Sequence, residues 1–143
     1  MKLLSYITII TIGFILIIVN QTDANNYNTV QDKVLQESIK RGNDVYADFC
    51  ITCHLDSGEG VKNTFPPLAN SDYLKTNRES SIKGLKYGLK GKITVNGKIY
   101  NSYMAPQGLG NDEIADVMNY INHSWGNTYG EIVTEEEVAK IKK

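Results

Sequence analysis

Two thiols three residues apart, with an imidazole directly after the second, constrain this chain more than any other feature: Cys50-Ile51-Thr52-Cys53-His54. C-x-x-C-H is the attachment pattern of a c-type haem. The thiols can bond covalently to the two vinyl groups of a porphyrin. The next residue, His54, is then held on one face of the ring and can ligate the iron. These are the only two cysteines of the sequence, so no thiol remains for a disulfide. A chain with this pattern is expected to fold around one haem, its function decided by the group on the other side of the iron.

Two other uses of such residues compete. A thioredoxin-type pair needs a strand before it and a βαβ setting. The residues before Cys50 read as helix, and no parallel-strand pattern is visible. Zinc could take Cys50, Cys53, His54 and His123, because two Cys and two His suit a tetrahedral site. Adjacent Cys53 and His54 make that geometry awkward, and the second ligand pair of a finger is missing.

The chain has 143 residues, a length that suggests one domain. Its net charge is −1, which argues against nucleic acid as a partner. Leu3 to Val19 form an apolar run behind Lys2, without a charge. The run is longer than most signal-peptide cores and slightly short for a spanning helix. Thr22-Asp23-Ala24 offers small residues for cleavage after Ala24. Residues 1–24 are therefore expected to be a secretory signal peptide, with an uncleaved membrane anchor through residues 3–19 as the alternative. Either reading exports the domain, to the periplasm or the outer face of the cytoplasmic membrane. A lipoprotein is excluded, because no cysteine directly follows the run.

Residues 25–37 are polar and Asn-rich and read as a linker. Ser38 to Phe49 reads as a helix, with Ile39, Gly42, Val45, Tyr46 and Phe49 on one side. Gly42 costs that helix about 1 kcal/mol against Ala, which is best explained by another backbone approaching closely. After the motif, Asp56 to Gly60 reads as a loop, and Pro66-Pro67 prevents helix. Ser71 to Leu74 reads as a single turn and Arg78 to Leu89 as a helix. Asn96-Gly97 between Ile93-Thr94-Val95 and Lys98-Ile99-Tyr100 signals a β-hairpin. Asn101 to Gly110 reads as a loop. The last long helix is expected from near Asn111 to about His123, with Ile114, Val117, Met118 and Ile121 as its apolar face. Residues 128–143 form a tail. A short helix fits there, because Thr134 and Glu137 suit a capping box.

The second axial ligand decides what the iron can do. Met118 lies on an apolar helical stripe, where a methionine is more often core filler. His123 falls near a helix C-terminus, which the helix dipole favours for an exposed histidine. Met104 sits in the proline-bounded stretch Tyr103-Met104-Ala105-Pro106, far along the chain from His54. Such a loop can lay a thioether across the opposite face of a porphyrin. Position alone leaves this open against an ordinary buried loop methionine.

With these residues in place, the chain resembles the class I, single-haem cytochromes c, over about Ser38 to Asn127. Gly42 and Tyr46 precede the first cysteine as that family's helix-contact glycine and aromatic do. Cys50, Cys53 and His54 match its attachment motif, and Pro66-Pro67-Leu68 its Pro-x-Leu spacing. Val117 and Tyr120 match positions of its C-terminal helix, which crosses the first helix at the glycine. The stretch Gly91 to Met104 is similar to bacterial, exported members with a hairpin before the methionine. The resemblance implies an all-α cytochrome c fold: three to five helices around one covalent haem c, with a small hairpin insert. It implies that the Pro66 carbonyl accepts a hydrogen bond from the His54 ring, that Leu68 packs on the haem, and that His54 and Met104 are the iron ligands.

By the same resemblance the protein is a one-electron carrier rather than an enzyme, meeting respiratory or periplasmic redox partners transiently. Lys83, Lys86, Lys90, Lys92 and Lys98 could steer an acidic partner or simply form a solvated face. A haem enzyme or gas sensor with an open iron site is the alternative. So is a membrane-tethered cytochrome subunit of a larger redox complex.

Overall fold

The computed structural model describes residues 29–143. The expected signal or anchor, residues 1–24, lies outside them, as do the first four residues of the expected linker. A boundary at Val34/Leu35 divides the chain into two units, and the site belongs entirely to the second, Leu35–Lys143. Among the described residues no helix is long and apolar enough to cross a membrane.

The first helix, α1, covers residues 29–49. Residues 29–37, expected as linker, are thus helical. Asn-rich composition suggested a linker, but Gln31, Lys33, Leu35, Gln36 and Glu37 are all good helix formers. One turn, α2 (Ile51–His54), continues almost directly from α1, because the Cys50 amide donates to the Tyr46 carbonyl at 2.9 Å. Leu55 ends it with a φ of 62°. Then follow α3 (Asp72–Thr76), α4 (Arg78–Tyr87), the two-residue strand β1 (Leu89–Lys90), β2 (Ile93–Val95), β3 (Lys98–Tyr100), β4 (Tyr103–Met104), α5 (Asn111–Asn122) and α6 (Glu135–Lys140). Six helices are present among the described residues, one beyond the three to five expected.

β2 and β3 form the expected hairpin, with Thr94 opposite Ile99. Asn96 and Gly97 both take positive φ, 50° and 73°, which the tight turn requires. The β1–β4 pairing was not expected. It places Leu89 opposite Met104, so the methionine sits on a short ladder rather than in a free loop.

α1 crosses α5 at Gly42. A Cβ there would lie 2.0 Å from the Asp116 carbonyl oxygen and 2.9 Å from Tyr120 Cβ, so only glycine lets the two backbones touch. The crossing is fastened by charge and by rings. The Arg41 guanidinium donates to both Asp116 carboxylate oxygens, at 2.6 and 2.8 Å, and the Ser38 hydroxyl donates to one of them at 2.6 Å. Tyr46 packs against Tyr120 with ring centroids 5.3 Å apart, and Trp125 completes an aromatic trio.

Residues 128–143, expected as a tail beyond the domain, are instead part of it. Val133 and Val138 are fully buried with Ile114, Val117 and Met118 of α5. Asn119, also fully buried, holds this segment: its amide donates to the Val133 carbonyl at 2.9 Å and its carbonyl accepts from the Val133 amide at 2.7 Å. Asn119→Ala strands both Val133 groups in the core. It is expected to cost about 2–4 kcal/mol, read from the urea midpoint of the holoprotein. The expected cap of α6 is present, with Thr134 Oγ1 accepting from the Glu137 amide at 3.2 Å.

The Glu137 carboxylate pairs with the Arg78 fork at 2.7 Å, and that hydrogen bond holds its pKa below the usual carboxylate range. A carboxylate lowered in the folded state stabilises fully above its unfolded pKa of about 4.3 and loses that contribution as the pH falls through its folded value. The gap in urea midpoint between the native chain and Glu137→Gln should therefore be complete at about pH 6 and begin to close only below about pH 4.

Candidate cofactor site

The six candidate residues Cys50, Cys53, His54, Pro66, Leu68 and Met104 all line one cleft of about 340 Å³. α1 and α2 bring the first three. The helical continuation across Cys50 spaces the thiols one turn apart and lets the His54 amide bond the Cys50 carbonyl at 2.9 Å. Burial, and then the neighbouring Cys53, push the Cys50 thiol up to about 11. Without a bound group, Cys50 therefore rests as a neutral thiol.

His54 Nδ1 lies 3.0 Å from the Pro66 carbonyl oxygen. A carbonyl only accepts, so Nδ1 carries the proton and Nε2 keeps its lone pair for a ligand. Burial lowers the His54 pKa and the Pro66 bond partly opposes this, so the ring is neutral at pH 7. The turn that presents Pro66 depends on Gly60. At its φ of 64°, a Cβ would come within 2.5 Å of the Phe65 carbonyl oxygen and 2.6 Å of that of Pro66. Leu68 is seated by its own amide, which donates to the Gly58 carbonyl at 2.7 Å. Its carbonyl accepts from the buried side chain of Asn127 at 3.0 Å.

Met104 enters on β4, half-buried, held by its pairing with Leu89 of β1. Met118 also lines the cleft, but it is 1% exposed within the core of α5. His123 does not line the cleft, and its Nδ1 donates to the Asn119 carbonyl at 2.9 Å, in the last turn of α5. The zinc reading loses its fourth ligand there. Among the described residues no group of three or more His, Cys, Asp or Glu could hold a metal ion.

Several contributors escaped the sequence reading. Ser80, Ser81 and Gly84 give α4 a low-relief wall toward the cleft. Gly84 is buried, as expected of a small residue facing a flat group, but its signal in the sequence is only a helical glycine. Val95 and Tyr100, 2% and 5% exposed, turn the inner face of the hairpin into another wall. Asn127 had no signal at all. Lys86 leaves the expected steering cluster, because its ammonium donates to the Val138 and Ile141 carbonyls. Lys83, Lys90, Lys92 and Lys98 are exposed.

The residues fit a covalently attached porphyrin. Two adjacent thiols, an imidazole with one free nitrogen and a thioether converge on a cleft whose other walls are mostly apolar. The comparisons agree. The family model described as Cytochrome c matches residues 39–125. Two forms of cytochrome c-552 from Thermus thermophilus are 38% identical over 110 residues, 71% of this chain and 83% or 74% of theirs. The cytochrome c subunit of a quinone alcohol dehydrogenase from Gluconacetobacter polyoxogenes is 33% identical over 110 residues, but these are 22% of that subunit. The match spans the elements that build the cleft, from α1 to the end of α5, and the chain belongs to the cytochrome c family, electron-transfer proteins that carry covalent haem c.

Proposed function

We propose that this protein is a one-electron carrier. Haem c would be held covalently by Cys50 and Cys53, with His54 Nε2 and Met104 Sδ as the donors to its iron. The observation that carries the reading is the joint placement of His54 and Met104 on one apolar cleft, each fixed by a backbone contact of its own. Bound haem supplies a one-electron iron couple. The Pro66 carbonyl fixes the His54 tautomer and raises its basicity. The Met104 thioether is a soft donor that favours the reduced metal. Leu68, Leu85 and Ile121 keep water from the cleft and disfavour the extra charge of the oxidised form. With His54 and Met104 both holding the iron, the group would exchange electrons without binding a substrate.

Partners are redox proteins met through small, transient contacts. The exposed lysines Lys83, Lys90, Lys92 and Lys98 suit an acidic surface. Export by residues 1–24 supports a place in the periplasm or at the outer face of the membrane. The intact mass of the exported protein separates a diffusible carrier from a tethered one.

The absorption spectrum of the oxidised holoprotein tests the ligand set. A near-infrared methionine–iron charge-transfer band is expected, together with negligible uptake of carbon monoxide by the reduced protein. An absent band with ready uptake of carbon monoxide would instead identify an open-site enzyme or sensor.

A further inference from the structure

Helix α4 lies between the cleft and the C-terminal segment, and that segment grips it at both ends. At the first turn, Arg78 Nε and Nη2 donate to the two Glu137 carboxylate oxygens, both at 2.7 Å. The same guanidinium donates to the Glu131 and Ile132 carbonyls at 2.9 and 3.1 Å. At the last turn, Lys86 Nζ donates to the Val138 carbonyl at 2.7 Å, and the Tyr87 hydroxyl to the Ile141 carbonyl at 3.0 Å. Val133 and Val138 root the segment in the core. The family match ends at residue 125, before the gripping segment begins.

The opposite side of α4 leads directly to Met104. A Cβ on Gly84 would sit 3.8 Å from Met104 Cε, and one on Gly88 2.8 Å from the Met104 carbonyl oxygen. Two residues beyond α4, Leu89 pairs with Met104. A two-residue ladder has little stability of its own. How often it opens is therefore set by how firmly α4 and β1 are held.

We propose that residues 131–141 act as a strap that keeps Met104 seated in the cleft, with Arg78, Lys86, Tyr87 and Glu137 as positioning residues acting through α4 and β1. The inference rests on the reading of Met104 as an axial ligand. Loosening the strap raises the population of the state with Met104 released. An external ligand competing for that axial position then binds more tightly, in proportion to that population.

The test titrates the oxidised, haem-loaded full chain with imidazole at pH 7, following the methionine–iron band, with far-UV circular dichroism as the control for folding. In the double variant Glu137→Gln, Tyr87→Phe, apparent imidazole affinity is expected to rise about tenfold with the dichroism unchanged. Arg41→Gln breaks the ion pair at the α1–α5 crossing and should lower the urea midpoint without altering imidazole affinity. If the double variant does not fold, Tyr87→Phe alone, which removes one hydroxyl, is expected to raise affinity about threefold. Unchanged affinity in the strap variants, or an equal rise in Arg41→Gln, overturns the proposal. A native holoprotein that lacks the band overturns the Met104 assignment itself, and the strap's role with it.

Discussion

Met104→Ala is expected to abolish the methionine–iron band and to raise the carbon monoxide affinity of the reduced holoprotein by at least about a hundredfold. In the proposed site one side chain would close the iron, delivered by one ladder pair, Leu89 opposite Met104. Alanine leaves the pair intact and removes the thioether, so the site opens without losing its frame. A half-buried methionine cut to alanine costs about 1–3 kcal/mol of packing, well short of unfolding a domain of ordinary stability. The reduction potential should fall as well, because loss of the soft donor removes a preference for the reduced metal. Met118→Leu is the control. It conserves volume in the core, should cost less than about 1.5 kcal/mol, and should leave the band in place. A band that survived Met104→Ala and vanished in Met118→Leu would move the ligand to α5.

Gly42→Ala is expected to cost as much stability as Asn119→Ala. Two effects oppose each other. Alanine favours an isolated helix by about 1 kcal/mol. Against that, the added carbon would lie 2.0 Å from the Asp116 carbonyl oxygen and 2.5 Å from the Asp116 carbonyl carbon. Both are backbone atoms inside α5, so neither can swing aside, and the helices must separate. Separation stretches the Arg41 and Ser38 bonds to Asp116 and parts Tyr46 from Tyr120. Overpacking of this kind outweighs the propensity gain, and a net loss of about 2–4 kcal/mol is expected in the urea midpoint. A variant as stable as the native chain would show that α1 and α5 do not meet there in solution.

Local chemistry explains what the sequence revealed. The attachment motif, the Asn96-Gly97 turn and the apolar stripe of α5 each express a rule confined to a few neighbouring residues. The structure shows the hairpin and α5 where those rules place them. The bond from His54 to Pro66 was expected only through resemblance to a family, and the geometry contains it. The C-terminal segment was misread because its partners are distant. Val133 is hydrogen-bonded to Asn119, and Glu137 is paired by Arg78, 59 residues upstream. No periodicity within residues 128–143 announces either contact. The β1–β4 ladder was hidden for the same reason, since two residues carry no alternation to detect. The helical state of residues 29–37 was missed from the other direction: polar composition suggested a linker, yet most of these residues are good helix formers already in phase with α1.

The ladder between Leu89 and Met104 also separates two kinds of variation. Everything from Gly91 to Ser102 is an excursion whose two ends are pinned by that pair, so the placement of Met104 does not depend on the length of the excursion. Residues added in pairs at the Asn96-Gly97 tip would leave Val95 and Tyr100 facing the cleft. They would disturb only the two bonds between Asn96 and Asp72. A shift of one residue in the ladder itself would instead bring Tyr103 or Ala105 to the position of Met104. The outer rim can therefore be redrawn while the proposed iron donor stays in place, and a single slip of register would exchange that residue without changing one letter of the sequence.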